Sequence, residues 1–339
     1  MANEAAGGKQ VVQASSSPII DGCQYCNWSR AVFEEMRAGK VDAVLVTIGY
    51  HEDFRETVER AIDWNRRFEQ NRDLILRARS AADIDTARAS GRTAILFGLQ
   101  NCSAIEDDIG LVEVLSDLGI RVMQLTYNNQ SLLGTGCYEA SDSGITRMGR
   151  EVIGEMNRLG MLIDMSHSAE RTTLEAIDLS SRPISITHAN PAAWHKVPRN
   201  KSPEVLKALA ARGGMLGLSL YPHHLKGGSA CTLEAFTEMV ARLADEIGVA
   251  HIGIGSDLCQ GQPDSVVEWM RNGRWTKSEP NIGLGNAVFP PQPSWFRNNC
   301  DFANIHRGLR ARGFSAADAD LVLGGNWYRF FRESFAPSS

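Results

Sequence analysis

Eight short apolar, largely β-branched runs recur along the chain. They are "PIID" (18–21), "DAVLVTI" (42–48), "TAILFGL" (93–99), "RVMQLTY" (121–127), "MLIDMSH" (161–167), "PISITH" (183–188), "MLGLSL" (215–220) and "HIGIGSD" (251–257). Apolar residues follow one another in them without polar alternation, the pattern of strands covered on both faces. Between the runs the period changes to that of helices. In 144–159, Ile145, Met148, Val152, Ile153, Met156 and Leu159 form one apolar stripe, and Gly160 is a stop. In 202–212, Ser202 is a cap, Pro203 takes the first helical position, and Gly213-Gly214 end the segment. The stretch 232–247 opens on Thr232 and sets Phe236, Met239, Val240, Leu243 and Ile247 on one face. Helices are also predicted over 53–70, 108–118, 169–179 and 316–334.

Strands alternating with helices predict an α/β chain folded as a (β/α)8 TIM-type barrel, a single domain over 18–339. A doubly wound sheet is the competing arrangement, but no Gly-rich phosphate loop follows the first strand. The Pro-, Trp-, Asn- and Gly-rich segment 258–300 is too long for an ordinary connection; it is expected to be a lid, a pocket wall or a homodimer contact. Residues 1–17 read as a disordered tail. They lack a basic n-region and an apolar h-region, so a cytoplasmic location is expected.

Composition narrows the partners. With 339 residues, 43% of them hydrophobic, the chain can bury a large core. A net charge of −5 without a Lys/Arg block argues against nucleic acid. No apolar run approaches the ~20 residues that span a bilayer, so no membrane partner is expected. Seven scattered cysteines do not make a disulfide framework. Cys23 and Cys26 form a CxxC, but no second ligand pair follows to complete a structural zinc site.

In such a barrel, chemistry sits at the C-terminal ends of the strands. Those ends carry Cys23 and Tyr25, Gln100 with Cys102, Tyr127, His167, His188, Tyr221 and Asp257. Two histidines on successive strands, with an acid on the same rim, point to a metal or acid–base site. His51, His195, His251 and His306 fall outside this rim; His223-His224 read as a solvated loop, with contact to substrate as the alternative. Arg199 is either a surface arginine or a guanidinium fork for a substrate carboxylate. The loop "GTGCYEASDSG" (134–144) brings Cys137, Tyr138 and Glu139 over the site, where Glu139 can supply a carboxylate.

Several long stretches resemble the membrane (renal) dipeptidase family, the M19 metallopeptidases. They are "GREVIGEMNRLGMLIDMSHSAERTTLEAI", "RPISITHANPAA", "VPRNKSPEVLKALAARGGMLGLSL", "HIGIGSD" and "RGLRARGFSAADADLVLGGNWYRFF". The resemblance spans nearly all of 18–335 and implies a (β/α)8 barrel with a two-zinc site. It makes His167 and His188 ligands of one metal, Asp257 a ligand of the other and the acid–base group, and Arg199 the grip on a substrate carboxylate. The family's bridging glutamate falls on Gln100, its first-strand His-x-Asp on Cys23-x-Tyr25, and a substrate-contacting histidine on Tyr127.

These departures change the electrostatics. Two dications ~3.5–4 Å apart repel by on the order of 20 kcal/mol at an effective dielectric of 20. The parent site offsets this with three carboxylates; here Asp257 alone is kept. Three readings follow: a mononuclear site of His167, His188 and Gln100 or Asp257; a site rebuilt with thiolates from Cys23, Cys26, Cys102 and Cys259; and a metal-free pocket. The expectation adopted is a dipeptidase-like hydrolase cleaving an amide bond in a small carboxylate-bearing substrate. One Zn2+, rather than two, is held by His167 and His188, with Gln100 and Cys23 as further ligand candidates. Asp257 shuttles the proton, Tyr127 or Tyr25 donates to the oxyanion, and Arg199, Tyr25 and Glu139 contact substrate. The alternatives are a metal-independent lyase, isomerase or decarboxylase, and a non-catalytic metabolite-binding protein.

Overall fold

The computed structural model describes residues 17–273 and 288–335. Most of the expected tail (1–16) and the middle of the long connection (274–287) lie outside them. The strands are β1 (Ile19–Gln24), β2 (Val41–Gly49), β3 (Ile75–Ala78), β4 (Thr93–Leu99), β5 (Ile120–Gln124), β6 (Leu162–Asp164), β7 (Ser185–Ala189), β8 (Met215–Leu218) and β9 (Ile252–Ile254). All pair in parallel, and the order β2-β1-β9-β8-β7-β6-β5-β4 closes through β2–β4 pairing into an eight-stranded barrel. The ring strands are the eight apolar runs. The ninth, β3, was not expected from the sequence: "ILRA" has a charged residue and only four positions. It pairs with Thr93–Leu96 of β4, on the flank that β5 takes from Phe97 onward.

Helices surround the barrel: α1 (Arg30–Ala38), α2 (Phe54–Gln70), α3 (Ala81–Ala89), α4 (Gly110–Asp117), α5 (Arg147–Leu159), α6 (Glu170–Leu179), α7 (Pro203–Ala211), α8 (Leu233–Ile247), α9 (Asp264–Asn272), α10 (Phe302–Arg312), α11 (Ala316–Asp320) and α12 (Asn326–Ser334). Local chemistry sets their ends. Ser202 and Thr232 accept from the backbone N–H groups of Val205 and Ala235, and Asp53 with Glu56 forms a capping box on α2. Gly160 ends α5 in a left-handed conformation.

The single helix expected over 316–334 is interrupted. A π-turn over Leu321–Gly325 separates α11 from α12, and a Cβ at Gly324 would lie 2.1 Å from the Pro18 carbonyl oxygen. This close approach brings Trp327 into the base of the barrel, fully buried, its indole N–H donating to the Ile254 carbonyl. Gly22 and Gly253 make room for it: a Cβ at either would stand 2.7 or 2.4 Å from the ring. The base is thus plugged, and the opposite end is free to form a pocket.

Candidate metal centre and substrate pocket

Two buried carboxylates brace the strand ends beneath the pocket. Asp164, at the end of β6, accepts from the backbone N–H and hydroxyl of both Ser166 and Thr187, and from the Gln124 amide. Asp21, on β1, accepts from the Ser256 N–H and hydroxyl and from the Gln24 amide. These bonds tie β6 to β7 and β1 to the turn after β9.

The Asp164 brace sets the tautomer of His188. Thr187 gives its hydroxyl proton to Asp164, so its oxygen accepts from the Nδ1–H of His188 at 2.8 Å. His167, three residues beyond β6, donates its Nδ1–H to the Asn128 side-chain oxygen at 2.7 Å. Both imidazoles therefore present an unprotonated Nε2 inward, and these atoms are 3.0 Å apart. The Gln100 side-chain oxygen stands 3.1 Å from the same His167 nitrogen. Facing lone pairs repel, and a shared cation resolves the conflict. The arrangement, with each ring held from behind by an oxygen, fits a metal. Burial, reinforced by Arg199, holds both imidazoles well below their ordinary pKa, in the neutral form a metal requires.

Cys23 and Asp257 complete the cluster. The Cys23 sulfur, a ring nitrogen of His188 and a carboxylate oxygen of Asp257 all lie within 4.8 Å of one another. Asp257 adopts a left-handed backbone, φ +56°, as does Asn128 at +59°. A non-glycine residue held there costs roughly 1–3 kcal/mol, and such strain gathers at functional sites. Burial raises the Asp257 pKa to about 7, with Arg199 opposing the shift.

Above the cluster opens a pocket. Tyr50, Tyr127, Tyr138 and Tyr221 form much of its wall, with Gln100, His167, Arg199 and Asp257 at the floor. Tyr127 stacks on His167, ring centres 4.1 Å apart. Helix α9 contributes Val267, Met270 and Arg271, so part of the long connection is a pocket wall. Arg199 is 2% exposed and donates to the backbone carbonyls of Ser166 and His188. Among the described residues no carboxylate comes within 4.0 Å of its guanidinium.

The structure thus brings together Cys23, Gln100, Tyr127, His167, His188, Arg199 and Asp257. It does not bring in Tyr25 or Glu139. Tyr25 lies past the end of β1, packs edge-on against Tyr50 at 4.7 Å, and lines a separate crevice with Arg60 and Trp28. Glu139 is exposed, and its carboxylate accepts from the Gln130 backbone N–H. The other three rim cysteines stay outside this cluster. Cys26 donates to the Leu258 carbonyl, Cys102 lines a neighbouring groove, and Cys259 donates to the Asp257 carbonyl from the pocket wall.

Sequence reasoning missed Thr47, Tyr50, Asn128, Thr187 and the Asp164 brace. One signal was available: an aspartate inside an otherwise apolar strand run, as in "MLIDMSH", marks a carboxylate that must be saturated by its neighbours. Two histidines were also misplaced. His51 is buried, edge-on to Tyr127 at 5.4 Å, and His224 is buried on the Ser219 hydroxyl, so it is not solvated.

Residues 24–272 match the model of the membrane dipeptidase family, peptidase family M19. The chain is 30% identical over 233 residues to dipeptidase verJ of Clonostachys rogersoniana, covering 68% of this chain and 59% of that one. It is 26% identical over 287 residues to dipeptidase tcpJ of Claviceps purpurea, covering 84% and 61%. The chain thus spans about three-fifths of the length of these curated relatives. Among solved structures, an amidohydrolase from Pseudomonas aeruginosa superposes with a TM-score of 0.90 at 37% identity, covering 94% of this chain and 97% of that one. A metallo peptidase from Rhodobacter sphaeroides, liganded with a phosphinate mimic of the dipeptide L-Ala-D-Ala, shares the fold at a TM-score of 0.78 and 17% identity, covering 94% and 100%. With a family match over residues 24–272 and a 30%-identical relative covering 68% of it, the chain belongs to the membrane dipeptidase family, peptidase family M19.

Proposed function

We propose that the protein is a metal-dependent hydrolase that cleaves the amide bond of a dipeptide or a similar small amino-acid derivative bearing a free carboxylate. The observation that carries this reading is the pairing of two features in one pocket. Inward-facing imidazole lone pairs mark a cation position, and a buried guanidinium without a carboxylate partner marks an anion position. The names of the relatives, dipeptidases and an amidohydrolase, support the same reaction class.

His167 and His188 would hold one zinc ion; when bound, it supplies Lewis acidity to the substrate carbonyl and to water. The chain's own groups do the rest. Arg199, held by two backbone carbonyls and beside the Cys137 side chain, receives the substrate carboxylate. Tyr127, fixed on the His167 ring, donates its hydroxyl proton as a hydrogen bond toward the carbonyl oxygen as negative charge develops there. Asp257 accepts the proton of the attacking water and returns it to the leaving nitrogen. The tyrosines and α9 exclude bulk water, which strengthens each of these interactions.

The test is hydrolysis of a panel of dipeptides and N-acyl amino acids by the purified full chain with one equivalent of zinc, each beside its C-terminally amidated analogue. Cleavage restricted to the free acids is expected. Arg199→Lys should raise KM for those acids ~10–100-fold with a smaller change in kcat, the loss of a charge-assisted fork. Equal cleavage of acids and amidated analogues would overturn the assignment of Arg199, and no cleavage of any member would overturn the hydrolase reading.

A further inference from the structure

We infer that Cys23 is a metal ligand, so that the barrel holds a single, thiolate-ligated metal ion bound by Cys23, His167 and His188, with Asp257 beside it and one position left open for water or substrate. The inference rests on the reading above in needing a cation at the two imidazoles, and it goes beyond it in assigning the coordination shell.

Geometry comes first. Around a tetrahedral zinc with bonds of ~2.0–2.3 Å, neighbouring donor atoms stand about 3.3–3.8 Å apart. The Cys23, His188 and Asp257 donors fall within 4.8 Å of one another, and the His167 and His188 nitrogens are 3.0 Å apart. The sulfur and the His188 nitrogen thus stand within reach of one cation, with the His167 nitrogen beside that of His188 and the Asp257 carboxylate next to the sulfur. The surroundings of the sulfur point the same way. Cys23 is buried, and the Gln100 amide donates to its sulfur at 3.2 Å, with the Thr47 hydroxyl 3.8 Å away. The Gln100 amide favours an anionic sulfur, whereas burial and the Asp257, Asp21 and Asp164 carboxylates push the thiol up, so the thiolate forms only with a cation beside it. A carboxylate at position 100 would instead set one anion against another. The amide at Gln100 and the thiol at Cys23 are therefore matched to each other.

Charge also closes for one ion. A thiolate and a carboxylate together offset a single dication, and a second would find no further anionic ligand in the cluster. On binding, the S–H bond of Cys23 breaks, a sulfur–metal bond forms, and the proton leaves to water. A ligand set with sulfur favours zinc, cobalt or another borderline metal over magnesium or calcium.

The experiment loads the chelator-stripped full chain with Co2+ or Zn2+. Titration with Co2+ should saturate at one equivalent and develop a near-ultraviolet thiolate-to-cobalt charge-transfer band. Cys23→Ser should lose that band while keeping the visible d–d bands; Cys26→Ser and Cys259→Ser should keep both. X-ray absorption at the zinc edge of the wild-type protein, which needs no variant to fold, should show one sulfur at about 2.3 Å. A zinc shell of nitrogen and oxygen only, or saturation at two equivalents, would overturn the inference. Hydrolysis without a sulfur ligand would sink this assignment and leave the hydrolase standing; a sulfur ligand without hydrolysis would do the reverse.

Discussion

Replacing Thr187 with valine removes one hydroxyl from the brace behind His188 and leaves the shape almost unchanged. Thr187 is buried, and its hydroxyl donates to Asp164 and receives the His188 Nδ1–H at 2.8 Å. Asp164 keeps four other donors, among them the Thr187 backbone N–H, so the carboxylate stays well supplied. The His188 N–H does not: it faces a methyl group in a dry site. An unsatisfied buried donor costs ~1–3 kcal/mol, and losing one donor to the carboxylate adds about 1 kcal/mol, so unfolding free energy should fall by roughly 2–4 kcal/mol. The ring is also freed to turn or to move its proton to Nε2, which abolishes the lone pair a metal needs. Loss of such an orienting partner typically weakens metal binding ~10–100-fold. Competition with a chromogenic chelator measures the affinity, and urea melts with and without metal measure the stability. Thr187→Ser restores the hydroxyl and should recover most of both. A folded Thr187→Val protein with wild-type metal affinity would refute the claim that the Asp164–Thr187 pair sets the ligand tautomer.

Other perturbations test separate parts of the structure. Trp327→Ala empties the base of the barrel and should cost ~3–5 kcal/mol in a chemical melt, with the metal-site donors unmoved; a loss under 1 kcal/mol would mean that α12 does not plug the barrel. Burial lowers the buried Lys201 amine from 10.5 to about 8. Between those values the folded state holds fewer protons than the unfolded chain, so stability should rise with pH across that window by up to about 3 kcal/mol, a rise that Lys201→Met should flatten. Parallel melts of the two proteins from pH 7.5 to 10.5 decide it. Glu139→Gln alters only an exposed loop contact and should leave kcat/KM within about twofold of wild type; a large loss would return Glu139 to the pocket.

The legible part of the site was the part fixed by strand ends. His188 lies within β7, and His167 and Asp257 each lie three residues beyond a short strand, close enough for the barrel rim to gather them. Tyr25 shows where that logic fails. It is two residues from Cys23, and strict alternation would put both side chains on one face. The β1–β2 register shifts between Asp21 and Gln24, and the strand ends there, so Cys23 points inward and Tyr25 does not. Glu139 failed for another reason: a loop acid has no periodicity to place it, and the nearest free N–H, that of Gln130, captured it.

The sequence alone determined the barrel. Apolar runs, capping residues and stop glycines act over a few neighbours, and eight such units in alternation have few ways to bury both faces of a parallel sheet. It also placed His167, His188 and Asp257 at the rim. Only the tertiary structure decided that Cys23, and not Cys26, Cys102 or Cys259, stands with the histidines and Asp257. It alone showed that Asp164 and Asn128 fix the imidazole tautomers, and that Arg199 is buried without a carboxylate beside it. Those facts depend on register, on left-handed backbone at Asn128 and Asp257, and on contacts between residues far apart in the chain. Local patterning carries no information about them.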